Sequence, residues 1–133
     1  MERLAESMGA AMRRVSRAYE AALFDLKVSA SQFLVLDQIG PGRPQAEITT
    51  RLGLAAPTVA RALGDLEDRG WINRARNADD SRRVDVSMTD AGRRVYIEAR
   101  HRVEDVDRRL TAPFDPQVAA QFGDFLKTIG GAQ

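Results

Sequence analysis

The 133-residue chain contains no cysteine. Disulfides, zinc–thiolate sites, cysteine nucleophiles and thiol redox sensing are therefore excluded. A single histidine, His101, rules out a multi-histidine metal cluster. Lysine is almost missing: of 20 basic residues only Lys27 and Lys127 are lysine. Arginine suits phosphate forks and narrow grooves better than lysine does. No apolar run approaches the ~18 residues that a membrane span needs. The first 17 residues carry Glu2, Arg3, Glu6, Arg13, Arg14 and Arg17, which leaves no apolar core for a secretory signal. There is no Gly-rich phosphate loop, no nucleophile beside a histidine and no metal-ligand spacing. A soluble cytoplasmic protein is expected, with no enzymatic site, no metal and no cofactor.

Hydrophobic residues make up 44% of the chain and charged residues 29%, a balance that argues for a folded core rather than disorder. The length suits one domain. Net charge is only +1, but it is unevenly spread. Residues 69–83 hold five arginines against Asp79 and Asp80, a local +3, while residues 112–133 come to −1.

Periodicity orders the elements. Leu4, Met8, Ala11, Val15, Ala18 and Ala22 recur at steps of four and three, which predicts a helix over residues 2–26. Ser29 or Ser31 caps a second helix through Phe33, Leu34, Leu36 and Ile39, which Gly40-Pro41 stops. The breaker cluster Pro41-Gly42-Arg43-Pro44 reads as a loop. A short helix over residues 45–52, a turn at Gly53-Leu54-Ala55, and a further helix with Pro57 in its first turn form a helix-turn-helix candidate. Val59, Leu63 and Leu66 are that helix's inward face, and Gly70 ends it. Val84, Val86 and Met88 then alternate with Asp85 and Ser87, the pattern of a half-buried strand. Residues 71–76 would pair with it across a tip at residues 77–81, giving a two-stranded hairpin. Thr89 or Asp90 starts a long helix with Tyr96, Ala99, Val103, Val106 and Leu110 on its apolar side. A last helix follows Pro113, with Val118, Phe122, Phe125 and Ile129 in register and Gly130-Gly131 at its end.

Residues 46–92, AEITTRLGLAAPTVARALGDLEDRGWINRARNADDSRRVDVSMTDAG, resemble the winged helix of the MarR (multiple antibiotic resistance regulator) family. The resemblance is carried by EITTRLGL, PTVARALGDLEDRGWINR, the wing-tip DSR and MTDAG. It implies a mainly α fold with a small β-hairpin, a winged helix-turn-helix over residues 29–90, and dimerisation helices over residues 1–28 and 91–133. Three positions depart from the family's pattern. Thr49 stands where alanine is usual, and Ala55 and Ala60 stand where serine or threonine is common. Ala55 offers no side-chain cap, a loss of roughly 1 kcal/mol to its helix.

Read as residues, helix 56–69 exposes Pro57, Thr58, Arg61 and Asp65 opposite its apolar face. A helix entering a major groove needs donors and acceptors on that side. Arg61 could reach a guanine edge or a phosphate, and Thr58 a thymine methyl or a phosphate; the alternative is a solvated helix face. In the wing, residues 71–88, Asp80 stands two residues before Arg82 in a turn. Its carboxylate can accept turn N–H groups or hold the guanidinium and aim it at a narrow minor groove. The family resemblance implies the same roles for Asp80 and Arg82. Arg74, Arg76 and Arg83 are expected to converge on the same element. Trp71 reads as a core anchor, His101 as a solvated or interface residue, and Glu104, Asp105 and Asp107 as ion-paired surface charge.

Leu4, Met8, Val15, Phe114, Val118, Phe122, Phe125 and Ile129 exceed what one winged helix can cover. Burial between two subunits resolves the excess, and the resemblance implies homodimers joined by the first and last helices. The implied partner is double-stranded DNA with a pseudo-palindromic operator. The resemblance also implies a small effector between the dimerisation helices and the winged helix, with Tyr19, Phe33 and His101 as candidate lining. The function expected is a homodimeric transcriptional regulator, acting as a repressor. The alternative is a winged helix that grips a protein partner without specific DNA binding.

Overall fold

The computed structural model describes residues 2–131. Helix α1 spans Leu4–Leu23 and passes into a 3-10 turn, Phe24–Leu26. The helix expected over residues 2–26 thus tightens at Leu23, and Lys27 ends it in the left-handed region at φ 57°. Helix α2, Ala30–Ile39, begins at a reciprocal cap: the Ser29 hydroxyl accepts from Gln32 N–H at 3.0 Å, and the Gln32 side chain accepts from Ser29 N–H at 3.0 Å.

Strand β1, Arg43–Pro44, corrects the loop expected there. With β2, Ile72–Arg76, and β3, Val84–Met88, it makes a three-stranded antiparallel sheet in the order β1-β3-β2 rather than a bare hairpin. Arg43 faces Val86 and Pro44 faces Asp85. Proline is tolerated because β1 is an edge strand with no second ladder to donate to. Trp71 lies just outside β2, whose pairing with β3 starts at Ile72 opposite Met88.

Between β1 and β2 run helices α3, Gln45–Leu52, and α4, Ala56–Asp68. Gly53 takes the left-handed conformation at φ 63° that the tight turn needs. Ala55 caps α4 with no side chain, and Pro57 occupies its first turn. Helix α5, Asp90–Thr111, is capped by Thr89, and α6, Pro116–Ile129, by Asp115. No described helix is long and apolar enough to cross a membrane.

Two apolar cores result. One joins α2, α3, α4 and the sheet through Leu36, Ile39, Ile48, Val59, Leu63, Leu66, Ile72 and Val86. The other joins α1, α2 and α5 through Leu23, Val28, Phe33, Ala99 and Val103. Trp71 and Tyr96 pack against both. Helix α6 buries none of its residues.

Gly92, on the first turn of α5, lies directly on the Trp71 backbone. A Cβ at Gly92 would stand 2.0 Å from the Trp71 carbonyl oxygen and 2.8 Å from its carbon. Backbone cannot rotate away as a side-chain tip can. Gly92→Ala is therefore expected to destabilise the fold by about 2 kcal/mol or more, despite alanine's better helix propensity. Urea unfolding of the two proteins measures it, and equal midpoints would contradict the close packing.

Candidate nucleic-acid interface

Helix α4 turns Val59, Ala62, Leu63 and Leu66 into the core. That leaves Pro57, Ala60, Arg61, Asp65 and Asp68 exposed, with Thr58 half-buried on a flank. The start of α4, helix α3 and the wing enclose an open groove of about 980 Å³. Its lining includes Gln45, Ala46, Thr49, Ala56, Pro57 and Ala60 on one wall and Asp80, Arg82, Arg83 and Val84 on the other. Thr58 and Arg61 do not line it; Arg61 stands on the outer crest of the helix. Sequence reasoning missed Gln45, Thr49 and Ala56 because none has a chemistry-bearing pattern; only the fold places them beside the wing.

The wing tip is built by side chains that bond to its own backbone. The Asn77 side-chain carbonyl accepts from Asp79 N–H at 2.9 Å and Asp80 N–H at 3.0 Å. Its amide nitrogen donates to Asp85 at 2.8 Å. Asn77 N–H donates to Arg83 C=O at 2.8 Å, closing the loop. Asp80 Oδ1 accepts from Arg82 N–H at 3.1 Å and lies 3.4 Å from Arg82 Nε. Both expected roles of that carboxylate, turn acceptor and guanidinium holder, thus occur together. The Arg82 side chain is 92% exposed.

The other wing arginines lie on the same element, as expected, and are engaged within the chain. Arg74 Nη2 lies 3.0 Å from Glu67 Oε1, and Arg74 N–H donates to Glu67 Oε2 at 3.2 Å, tying β2 to α4. Only 26% of the Arg74 side chain is exposed. Arg76 Nη1 donates to Ser81 C=O at 2.7 Å. Arg83 Nε lies 2.6 Å from Asp85 Oδ1. Their hydrogen bonds hold the Glu67 and Asp85 carboxyls below the usual carboxylate range, and raise Arg83.

Tyr19 and Phe33 meet edge-to-face with centroids 6.5 Å apart, and Phe33 stacks on Tyr96 at 6.1 Å. Phe33 is buried, and His101 is exposed on α5. Tyr19 and Phe33 thus share one aromatic contact, while His101 stands on the exposed side of α5. Both tyrosine hydroxyls are tethered: Tyr19 donates to Asp107 at 2.6 Å and Tyr96 to Asp37 at 2.6 Å. Burial, then the carboxylate partner, pushes both phenols up. Asp107 thus does more than the surface pairing expected of its acidic run. Leu4, Met8, Phe114, Val118, Phe122, Phe125 and Ile129 are 37–59% exposed, and Val15 is half-buried.

Comparison with known proteins places this geometry. A model of the MarR family matches residues 24–83. An uncharacterised HTH-type transcriptional regulator, YwoH of Bacillus subtilis (strain 168), is 32% identical over 92 residues, covering 69% of this chain and 66% of YwoH. The chain spans 44–66% of the lengths of the curated relatives it matches. The transcriptional repressor CouR bound to a 23-mer DNA duplex superposes with TM-score 0.86 and 30% identity over 96% of this chain and 92% of CouR. A mutant MarR from E. coli complexed with operator DNA gives TM-score 0.84 and 25% identity over 95% and 92%.

The Glu67–Arg74 and Asp85–Arg83 pairs set a pH expectation. A carboxyl whose folded pKa is depressed contributes stability above its unfolded value, and loses it as pH falls through the lower folded value. Carbon-detected NMR should find Glu67 and Asp85 each titrating below the ordinary value for its type. Arg74→Gln should return Glu67 toward the ordinary value and leave Asp85 unmoved. Ordinary titration of Glu67 in the unaltered protein would refute the pairing.

Proposed function

The chain belongs to the MarR family of winged-helix transcriptional regulators, and from that premise we propose that it binds a pseudo-palindromic operator as a homodimer and represses transcription there. The observation that carries this reading is Arg82: a guanidinium 92% exposed at the wing tip and steadied by Asp80. In the proposed complex the start of α4 enters the major groove and Arg82 the adjacent minor groove, whose negative potential is greatest in A·T-rich segments. Arg61 reaches base or phosphate. Arg76 and Arg83 stabilise the tip that presents Arg82, and Arg74 fixes the wing to α4.

The homodimer follows from the terminal helices. The apolar side of α6, and Leu4 and Met8 of α1, stand open to solvent in the single chain. Such faces mark interfaces. A second copy covers this one symmetrically, and the two-fold axis sets half-sites about one helical turn apart. The protein acts in the cytoplasm, without enzymatic activity or cofactor. A small effector that changes the spacing of the two recognition helices would relieve repression.

Two substitutions test the reading. Arg82→Ala should weaken operator binding by more than ~1 kcal/mol and lower the log–log salt slope by about 1, with the melting temperature nearly unchanged. An unchanged dissociation constant, with a shallow salt slope for the unaltered protein, would favour a protein partner for this face. Phe125→Asp should yield monomers in sedimentation and weaken operator binding at least tenfold, since each half-site then binds alone. A variant that stays dimeric would move the interface away from α6.

A further inference from the structure

Resting on the operator reading above, we infer that the recognition helix reads chiefly thymine methyl groups, with one guanine contact from Arg61. The side of α4 turned to the groove is made of Ala56, Pro57 and Ala60, which carry no side-chain donor or acceptor. On the facing helix α3, the Thr49 hydroxyl donates to Gln45 C=O at 3.2 Å and the Thr50 hydroxyl to Ala46 C=O at 3.1 Å. Thr49 therefore lines the groove with its hydroxyl proton already donated within α3. The α4 hydroxyl, on Thr58, is half-buried on a flank outside the groove. Arg61 is exposed and has no ion-pair partner among the described residues.

A base edge pressed against Ala56, Pro57 and Ala60 meets carbon, because the polar side chains of the groove, Gln45, Asp80, Arg82 and Arg83, stand on α3 and the wing. The thymine C5-methyl is the apolar group that a major groove offers, whereas the amino groups of cytosine and adenine would gain no acceptor from these three α4 side chains. Arg61 supplies the one fork suited to guanine O6 and N7. Farther along α4 the exposed charges are Asp65 and Asp68, which repel phosphates and confine contact to the helix's first half. Pro57 to Arg61 spans about 6 Å at 1.5 Å per residue, under two base-pair steps of 3.4 Å. Each half-site should therefore place a read thymine within two base pairs of the guanine read by Arg61.

The test starts from the duplex that the protein enriches out of a randomised library. That duplex is resynthesised with deoxyuridine at each thymine in turn, and with 7-deazaguanine at each guanine. One or two thymines per half-site should lose about fourfold affinity on removal of the methyl. One guanine within two base pairs should lose about tenfold. Because the methyl lies in the major groove, minor-groove contacts of the wing do not respond to uracil. In Ala60→Gly the thymine-to-uracil ratio at the affected position should fall toward one. That ratio compares two duplexes on one protein, so helix destabilisation leaves it unchanged. Arg61→Ala should abolish the 7-deazaguanine effect. An enriched operator whose thymines all tolerate uracil would overturn this inference and leave the regulator intact. The absence of any enriched site would overturn both.

Discussion

The junction at Trp71 fixes the geometry on which everything else depends. Trp71 N–H donates to Leu66 C=O at 3.0 Å, so it is bound to the last turn of α4. Its own C=O accepts from Thr89 N–H at 3.0 Å, which closes the far end of the hairpin. The Thr89 hydroxyl donates to Gly70 C=O at 2.7 Å while it caps α5 through Gly92 N–H. Gly92 is the residue that lets α5 approach this close. One backbone crossing thus ties the end of the recognition helix, both ends of the wing and the start of the long helix. The indole fills the seam between the two cores, and the Arg69 guanidinium covers its ring at 4.8 Å. Arg69 also donates to Lys27 C=O, so the end of α4 is fastened to the corner between α1 and α2.

With that crossing fixed, the wing's charge is arranged rather than accumulated. A net charge of +1 gives little long-range attraction to DNA. What matters is where a guanidinium is free. Arg74, Arg76 and Arg83 bond to Glu67, Ser81 and Asp85, and they stiffen the element. Arg82 alone extends from the tip into solvent with its backbone and root held by one carboxylate. A preoriented cation loses less entropy on entering a narrow groove than a free side chain would. The internally paired arginines are therefore part of the presentation of Arg82, though they need not touch DNA.

Much of this was legible in the sequence because the signals were local. The Gly53 turn, Pro57 at the head of α4, the Val84–Val86–Met88 alternation and the Thr89 cap each depend on a few adjacent residues. The wing-tip pairing of Asp80 with Arg82 is likewise a two-residue geometry. What escaped was non-local or ambiguous. Strand β1 is two residues long and contains a proline, so only pairing with Val86, more than 40 residues away, makes it a strand. Arg74 read as one more wing cation because its partner Glu67 belongs to another element. The family resemblance grouped Tyr19 with Phe33, but nothing local announced that Asp107 would hold the Tyr19 phenol, or Asp37 that of Tyr96, from distant sequence. His101 was legible as a solvated residue: its neighbours Ala99 and Val103 take the buried side of α5, and His101 is left in solvent.

The same division between local and long-range constraint bears on regulation. Within one chain, α4 and the wing are set against α5 by backbone hydrogen bonds and by a glycine contact with no slack. Helix α6, by contrast, has no buried residue to fix it against its own chain. On the proposed dimer, the distance between two recognition helices is then governed by how α6 and α1 of one copy meet those of the other. On that proposed dimer, a change at the contact would move each winged helix with its α5, because the Trp71 crossing ties α5 to the end of α4 and to the wing. The aromatic stack of Tyr19, Phe33 and Tyr96, tethered through Asp107 and Asp37, adds side-chain coupling from α1 through α2 to α5. In the proposed dimer, a rigid head on an adjustable contact would convert a small shift at the helical end into a mismatch of half-site spacing. The base preference inferred for α4 would then persist while the affinity of the pair of heads changed.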